Sequence, residues 1–373
     1  MAQLWLIYQL THSSVWLGTI GFLNSIPVLF FSMFGGTLAD RMSKHKLVMM
    51  TQIASSVQAL LLAALVIGGW ITAELVAVLA FTLGVINAFD IPSRQAFIVD
   101  LVGKEDLANA IALNSVTFNA ARIIGPAIGG VVMSVAGIGW CFFVNAFSFI
   151  AVIFSLSRMN VVETMQRTAA KISVAQSLKE SIAYIRSDIS MTALLLLVAI
   201  VTIFGWSYSV LLPIFADSIL NIGAVGLGNL LTATGVGAII SAFMVATYEL
   251  EVSPRTFLYN GIFIFVISIM MFALSSNVVL SLLSLVGVGM GLVSFFATAN
   301  ASLQRRAPDH LRGRVMGLYS LMFQGIFPFG SFGIGVLAHA IGARYAIVSS
   351  AIVCGVSGLV VFYIVKKKNE HHY

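Results

Sequence analysis

The chain has 373 residues, of which 59% are hydrophobic and only 9% charged, and its mean hydropathy is +1.01. No water-soluble domain has enough polar surface for that balance, so a soluble protein is excluded. The net charge of +6 does not indicate a nucleic-acid partner, because the basic residues fall in alternate loops between apolar runs.

Those runs are about 20 residues long, the length of a membrane-spanning helix, whereas barrel strands alternate over about ten. Lipid offers no partner for a bare amide, so each run satisfies its own backbone by forming a helix. The prediction is an all-α polytopic membrane protein. Eleven complete spans are expected at 15–39, 47–67, 75–94, 108–136, 138–158, 190–217, 225–249, 256–275, 278–300, 314–338 and 343–365. Residues 2–10 are apolar but reach only about half the depth of a bilayer. Met1 to Leu10 lack the basic start and cleavage site of a signal peptide. Cys141 and Cys354 fall inside spans and read as small buried hydrophobes. No CxxC, HExxH or Walker loop occurs, so no metal, cofactor or enzymatic chemistry is encoded.

Eighteen of the 20 basic residues lie on one side of this arrangement, leaving Arg344 opposite and Arg122 inside a span. The positive-inside rule makes the rich side cytoplasmic, with the C-terminal tail. Trp16, Trp70 and Trp140 then mark outer span ends, where indole rings favour the interface.

The two halves repeat. Gly125-Pro-Ala-Ile-Gly-Gly-Val is matched by Gly330-Ser-Phe-Gly-Ile-Gly-Val at an offset of 205, and Val15-Trp-Leu-Gly by Val225-Gly-Leu-Gly at 210. The expected division is a bundle over 1–158, a polar linker over 159–189, a second bundle over 190–365 and a tail over 366–373. Within the linker, 173–187 has helical apolar spacing (Val174, Leu178, Ile182, Ile185) and is expected to lie along the cytoplasmic face. The repeat also calls for a full span before residue 15, so the chain is expected to lack part of its first helix. Parity agrees, since eleven spans put the termini on opposite sides and two six-helix halves put both inside.

Several residues stand out for chemistry. Arg122 is the only basic residue well inside a span, about 20 Å from the start of its helix. Intramembrane ionisable groups are costly and face a cavity or a partner, so Arg122, with Asn114 and Asn119 on the same helix, is a candidate for a substrate or proton path. The competing reading is structural pairing of Arg122 with Asn or backbone carbonyls. In the second half Trp206, Tyr208, Gln324 and Phe327 place aromatics beside few polar groups, which suits bulky amphipathic substrates; packing against lipid is the alternative.

The loop after the first complete span reads Gly35-Gly-Thr-Leu-Ala-Asp-Arg-Met-Ser-Lys-His-Lys. It resembles the G-x-L-A-D-R-x-G-R-[KR] signature of the major facilitator superfamily, with Gly36, Leu38, Ala39, Asp40 and Arg41 in place, Ser43 for Gly and Lys44 for Arg. Gly125, Pro126, Gly129 and Gly130 resemble the fifth-helix antiporter motif of the same superfamily, with Ala112 and Ala121 replacing its first two glycines. The loop motif, 90–97, 107–115 and 311–317 together are similar to the drug-efflux branch that contains enterobactin exporters and macrolide efflux pumps.

The resemblance implies the major facilitator fold, two six-helix bundles around a central cavity, the first helix here incomplete. It also implies a cytoplasmic latch built from Gly36, Asp40, Arg41, Lys44, Asp90 and Arg94, in which Asp90 pairs with Lys44 or Arg41. A plain Asp90–Arg94 pair within one helix is the competing arrangement. Arg312 and Arg314 are expected to meet Asp40 across the halves. The implied function is export of a small amphipathic compound, drug or siderophore-like, by proton antiport with alternating access in the bacterial inner membrane. The expected partners are a small-molecule substrate, protons and the lipid bilayer, with no nucleic acid and a monomeric state. A lipid or lysolipid translocator, and a non-transporting membrane protein or inactive fragment, are the alternatives.

Overall fold

Every regular element among the described residues is helical. The computed structural model describes residues 1–103, 106–159, 183–248 and 253–370. A short helix α1 (Ala2–Thr11) precedes α2 (Ser14–Arg41), α3 (Lys44–Ile67), α4 (Ala73–Val102), α5 (Leu107–Val135) and α6 (Ile138–Ser157). The second half holds α7 (Ile189–Ile219), α8 (Gly223–Tyr248), α9 (Pro254–Leu274), α10 (Val278–Arg306), α11 and α12 (Ala343–Glu370). α11 begins as Asp309–Ser320, passes through a π turn at Leu321–Gly325 and ends as Phe327–Ile341. Eleven of these helices are long and apolar enough to cross a membrane.

Local chemistry sets the helix starts. Ser13, Ser43, Asp188, Ser253 and Asn277 each accept a backbone N–H of the first turn of α2, α3, α7, α9 and α10. The turn between α1 and α2 passes through His12 in the left-handed region, at φ 47.

The predicted spans match in number and order, with longer ends. The sequence reading stops the third span at residue 94, but α4 continues through Pro92 to Val102. Pro92 removes one amide donor and frees the carbonyl of Ala88. Gly35 of α2 rests on that carbonyl, so the neighbouring helix covers the gap. Likewise α12 runs on to Glu370, where a separate tail from 366 was expected. Most of the predicted linker helix lies outside the described residues; Ile185 near its end is buried.

The chain divides into two compact units. One comprises the described residues of Met1–Ala169 with Ile222–Gly228, and the other those of Ala170–Asn221 and Asn229–Tyr373. In the first, α2 packs along α4 and α3 along α6, with α1 against α2, α4 and α6. Small residues let the backbones approach: a Cβ at Gly84 would lie 2.5 Å from the Asn24 carbonyl and 2.9 Å from Pro27. In the second unit α9 packs along α10 and α12. Its core is aromatic, with Phe215 and Phe272 fully buried and stacked at 4.5 Å.

Candidate functional site

Four polar side chains converge on one end of the first unit. Asp90, only 3% exposed, is the one charged residue in the fully buried set of the described residues. Its Oδ1 accepts from Thr51 Oγ1 at 2.7 Å and from Gln52 Nε2 at 2.9 Å, both on α3. Its Oδ2 accepts from Arg94 one helical turn later. The Thr51 hydroxyl also lies 2.8 Å from the Val48 carbonyl, but it has one proton, and the carboxylate is the stronger acceptor. A buried charge is tolerated only with such partners.

The predicted Asp90–Lys44 pair does not form in this structure. Lys44 Nζ instead binds Asp100 Oδ2 at 2.7 Å, joining the start of α3 to the end of α4. The next residue, His45, lies 2.9 Å from the Leu156 carbonyl through Nε2, which ties α3 to the end of α6. The reason is helix length. Because α4 extends to Val102, its last turns and not Asp90 face the first residues of α3. The side chains of Asp40 and Arg41 lie outside the described residues, so their place in the latch remains a sequence expectation. Gly36 is part of α2, and a Cβ there would meet open space.

On α5, Arg122 and Asn119 are both half-buried, both engaged by neighbours, and share a helix face by their spacing of three. Asn114 is exposed and turned about 80° from Arg122. The four-residue antiporter-like motif divides by environment. Gly125 borders open space and Gly129 touches side-chain tips only. Gly130 is buried against Ala224, Val225 and Gly228, at the start of α8 in the segment that groups with the first unit. Pro126 lends its carbonyl to that contact, which falls against Gly228.

In the second unit, both helices carrying predicted candidates depart from α geometry. α7 contains π turns at Val201–Gly205 and Phe215–Ile219 around a 3-10 stretch at Trp206–Leu211, and α11 has its π turn at Leu321–Gly325. π turns frequently mark functional positions. Trp206 meets Phe296 edge-on at 5.6 Å and Phe323 at 5.7 Å, and Tyr319 stacks on Phe323 at 5.8 Å while its hydroxyl donates to the Phe296 carbonyl. Gln324 is exposed beside this cluster and Phe327 half-buried above it. Tyr208, expected on the path, is buried at 3% exposure. A 3-10 turn rotates it about 120° from Trp206, into the packing. Sequence reading missed Phe296, Phe323 and Tyr319. The aromatic spacing Tyr319–Phe323 is visible in the sequence, but nothing local announces that Phe296 of α10 completes the cluster.

Arg312 Nε donates to the Gln304 carbonyl at 3.3 Å, so in this structure it joins the start of α11 to the end of α10. Arg314, two residues on, is half-buried.

A family model described as "Transmembrane secretion effector" matches residues 1–372. The chain belongs to this family of major facilitator transporters. The staphyloferrin A transporter of Staphylococcus aureus is 25% identical over 98% of this chain and 91% of its own length. The multidrug efflux pump Tap of Mycolicibacterium fortuitum is 24% identical over 96% and 90%. Among solved structures, the nucleoside transporter NupG superposes with a TM-score of 0.73 at 12% identity, covering 97% of this chain and 93% of that one. A bacterial homolog of the human lysosomal transporter Spinster, inward-facing and unoccupied, gives 0.70 at 13%, covering 97% and 95%. At such identities the likeness establishes the fold.

This member of the family is therefore a multi-pass membrane transporter of small molecules and not an enzyme.

Proposed function

We propose that the protein is a secondary active exporter that moves a small amphipathic compound, drug or siderophore-like, out of the cytoplasm in exchange for protons. The observation that carries this reading is Arg122, half-buried in α5 one turn before the Gly125-Pro126 step. A guanidinium supplies a fixed charge and a planar fork of donors, so it suits a carboxylate on the substrate or a carboxylate exposed during the cycle. The aromatic cluster around Trp206 supplies the apolar complement. The name of one relative, a multidrug efflux pump, supports the outward direction.

Coupling to protons needs a group that releases one. Among the described residues Asp90 is the buried carboxylate, and loss of its charge-assisted bond with Arg94 would loosen α4 at that turn. Alternating access then follows from one half rocking against the other, with the Asp90 network and the Lys44–Asp100 pair biasing one state. In this reading the protein acts as a monomer in the plasma membrane, with its C-terminus in the cytoplasm.

Arg122 variants test the proposal. Arg122→Ala should abolish efflux of ethidium or a carboxylate-rich siderophore at normal membrane abundance, and Arg122→Lys should retain part of it. Reduced abundance with unchanged flux per molecule would make Arg122 structural and refute its role.

A further inference from the structure

A second site lies apart from the transport residues, at one end of the second unit. There α7, α9, α10 and α12 enclose a cavity of about 240 Å³. Its lining includes three arginines, Arg255 at the start of α9 and Arg305 and Arg306 at the end of α10, together with Ser190 and Ser302. Asp188 is an acidic neighbour, 3.6 Å from Arg306. The inner wall is apolar, formed by Leu194, Leu197 and Leu258.

Tyr259 lines this cavity and also a second one of about 440 Å³, which runs on between α9 and α12. The second cavity is apolar, bordered by Phe263, Val266, Gly355 and Leu359. The glycines create the trough. A Cβ at Gly355 would only reach ordinary contact with Val266, 3.4 Å away, so nothing but the missing side chain keeps the space open. Phe263 and Leu359 are 65% and 70% exposed, as lipid-facing side chains are. Tyr259, edge-on to Phe362 at 4.6 Å, stands at the junction. Tyrosine favours this depth, with its ring in hydrocarbon and its hydroxyl near water.

A basic pocket at the span ends continued by an apolar groove toward the membrane interior has the polarity of one class of molecule. We propose that this is a binding site for an anionic phospholipid, with its phosphate among Arg255, Arg305 and Arg306 and one acyl chain in the α9–α12 groove. Basic pockets between transmembrane helices bind such headgroups, and a free anion would have no use for the groove. The lipid would brace four helices of the second unit during transport. The site depends neither on the direction of transport nor on which side of the membrane this end faces.

Native mass spectrometry of the purified transporter, equilibrated with mixed micelles of phosphatidylglycerol and phosphatidylcholine of equal chain length, tests the proposal. The wild type should retain phosphatidylglycerol in preference. Arg255→Gln with Arg305→Gln should lower that retention about 25-fold, roughly five-fold per charge, while the Lys pair at the same positions keeps most of it. Gly355→Val, which fills the groove and leaves the arginines alone, should lower retention of both lipids. Equal retention of the two lipids by the wild type would overturn the site, as would full retention by the folded Gln variant. Displacement of the lipid by millimolar inorganic phosphate would assign the pocket to a free anion. Should the Gln variant fail to fold, the Lys pair and Gly355→Val decide the matter.

Discussion

The hydrogen bonds around Asp90 define what each substitution there removes. Asp90→Ala leaves Gln52 and Arg94 without this acceptor and turns Thr51 to the Val48 carbonyl, and a buried donor left unpaired costs about 1–3 kcal/mol. Arg94 is 55% exposed, so water recovers most of its share. The expected loss is about 2–3 kcal/mol, read as a lower unfolding temperature in detergent. Asp90→Asn keeps an acceptor for Thr51 and Gln52 and should lose about half as much. Equal stability of the wild type and the Ala variant would contradict the network. The Lys44–Asp100 pair is partly solvated on both sides, so a double-mutant cycle should give a coupling below about 1 kcal/mol. The sequence already placed Asp90, Arg94 and Lys44 at one end of a span. It did not reveal the partners, because Thr51 and Gln52 look like ordinary mid-helix polar residues until α3 is laid beside α4.

Helix identity and order were legible because an apolar run of about 20 residues has one solution in lipid. Helix ends were less so. Pro92 and Arg94 read as a terminus, yet α4 carries both because α2 covers the freed carbonyl and Asp90 fixes the arginine. The π turns of α7 and α11 left no composition signal, since they depend on how neighbouring helices pack. Close approach between helices gives a prediction at this scale. Gly84→Ala puts a methyl against the Asn24 carbonyl and Pro27 and should cost about 1–3 kcal/mol by forcing α2 and α4 apart. Gly36→Ala enters open space and should leave folding unchanged. Comparable folded yields for both variants, by size-exclusion chromatography, would contradict the packing.

At the scale of the whole molecule, the distribution of basic residues carries the topology. Eighteen of 20 on one side predicts that Ser173 in the linker and Asn369 near the end face the cytoplasm. Cysteines placed at either position should react with a membrane-impermeant maleimide only after the cells are opened; labelling in intact cells would reverse the orientation. The internal repeat predicts bundles over 1–158 and 190–365; in the structure the first residues of α8 group with the unit that holds Met1–Ala169. Gly130 and Gly228 explain this grouping, because two glycines in contact let α5 and α8 meet backbone to backbone.

Proton-coupled export can be measured in everted membrane vesicles. In these the cytoplasmic face is outward, so an exporter accumulates its cargo inside when respiration acidifies the lumen. Uptake of ethidium, a macrolide or a carboxylate-rich siderophore should rise with the imposed gradient for at least one of the three. It should collapse with a protonophore and be lost in Asp90→Asn and Arg122→Ala at equal abundance. Uptake that ignores the gradient, or accumulation of all three only in right-side-out vesicles, would contradict the account.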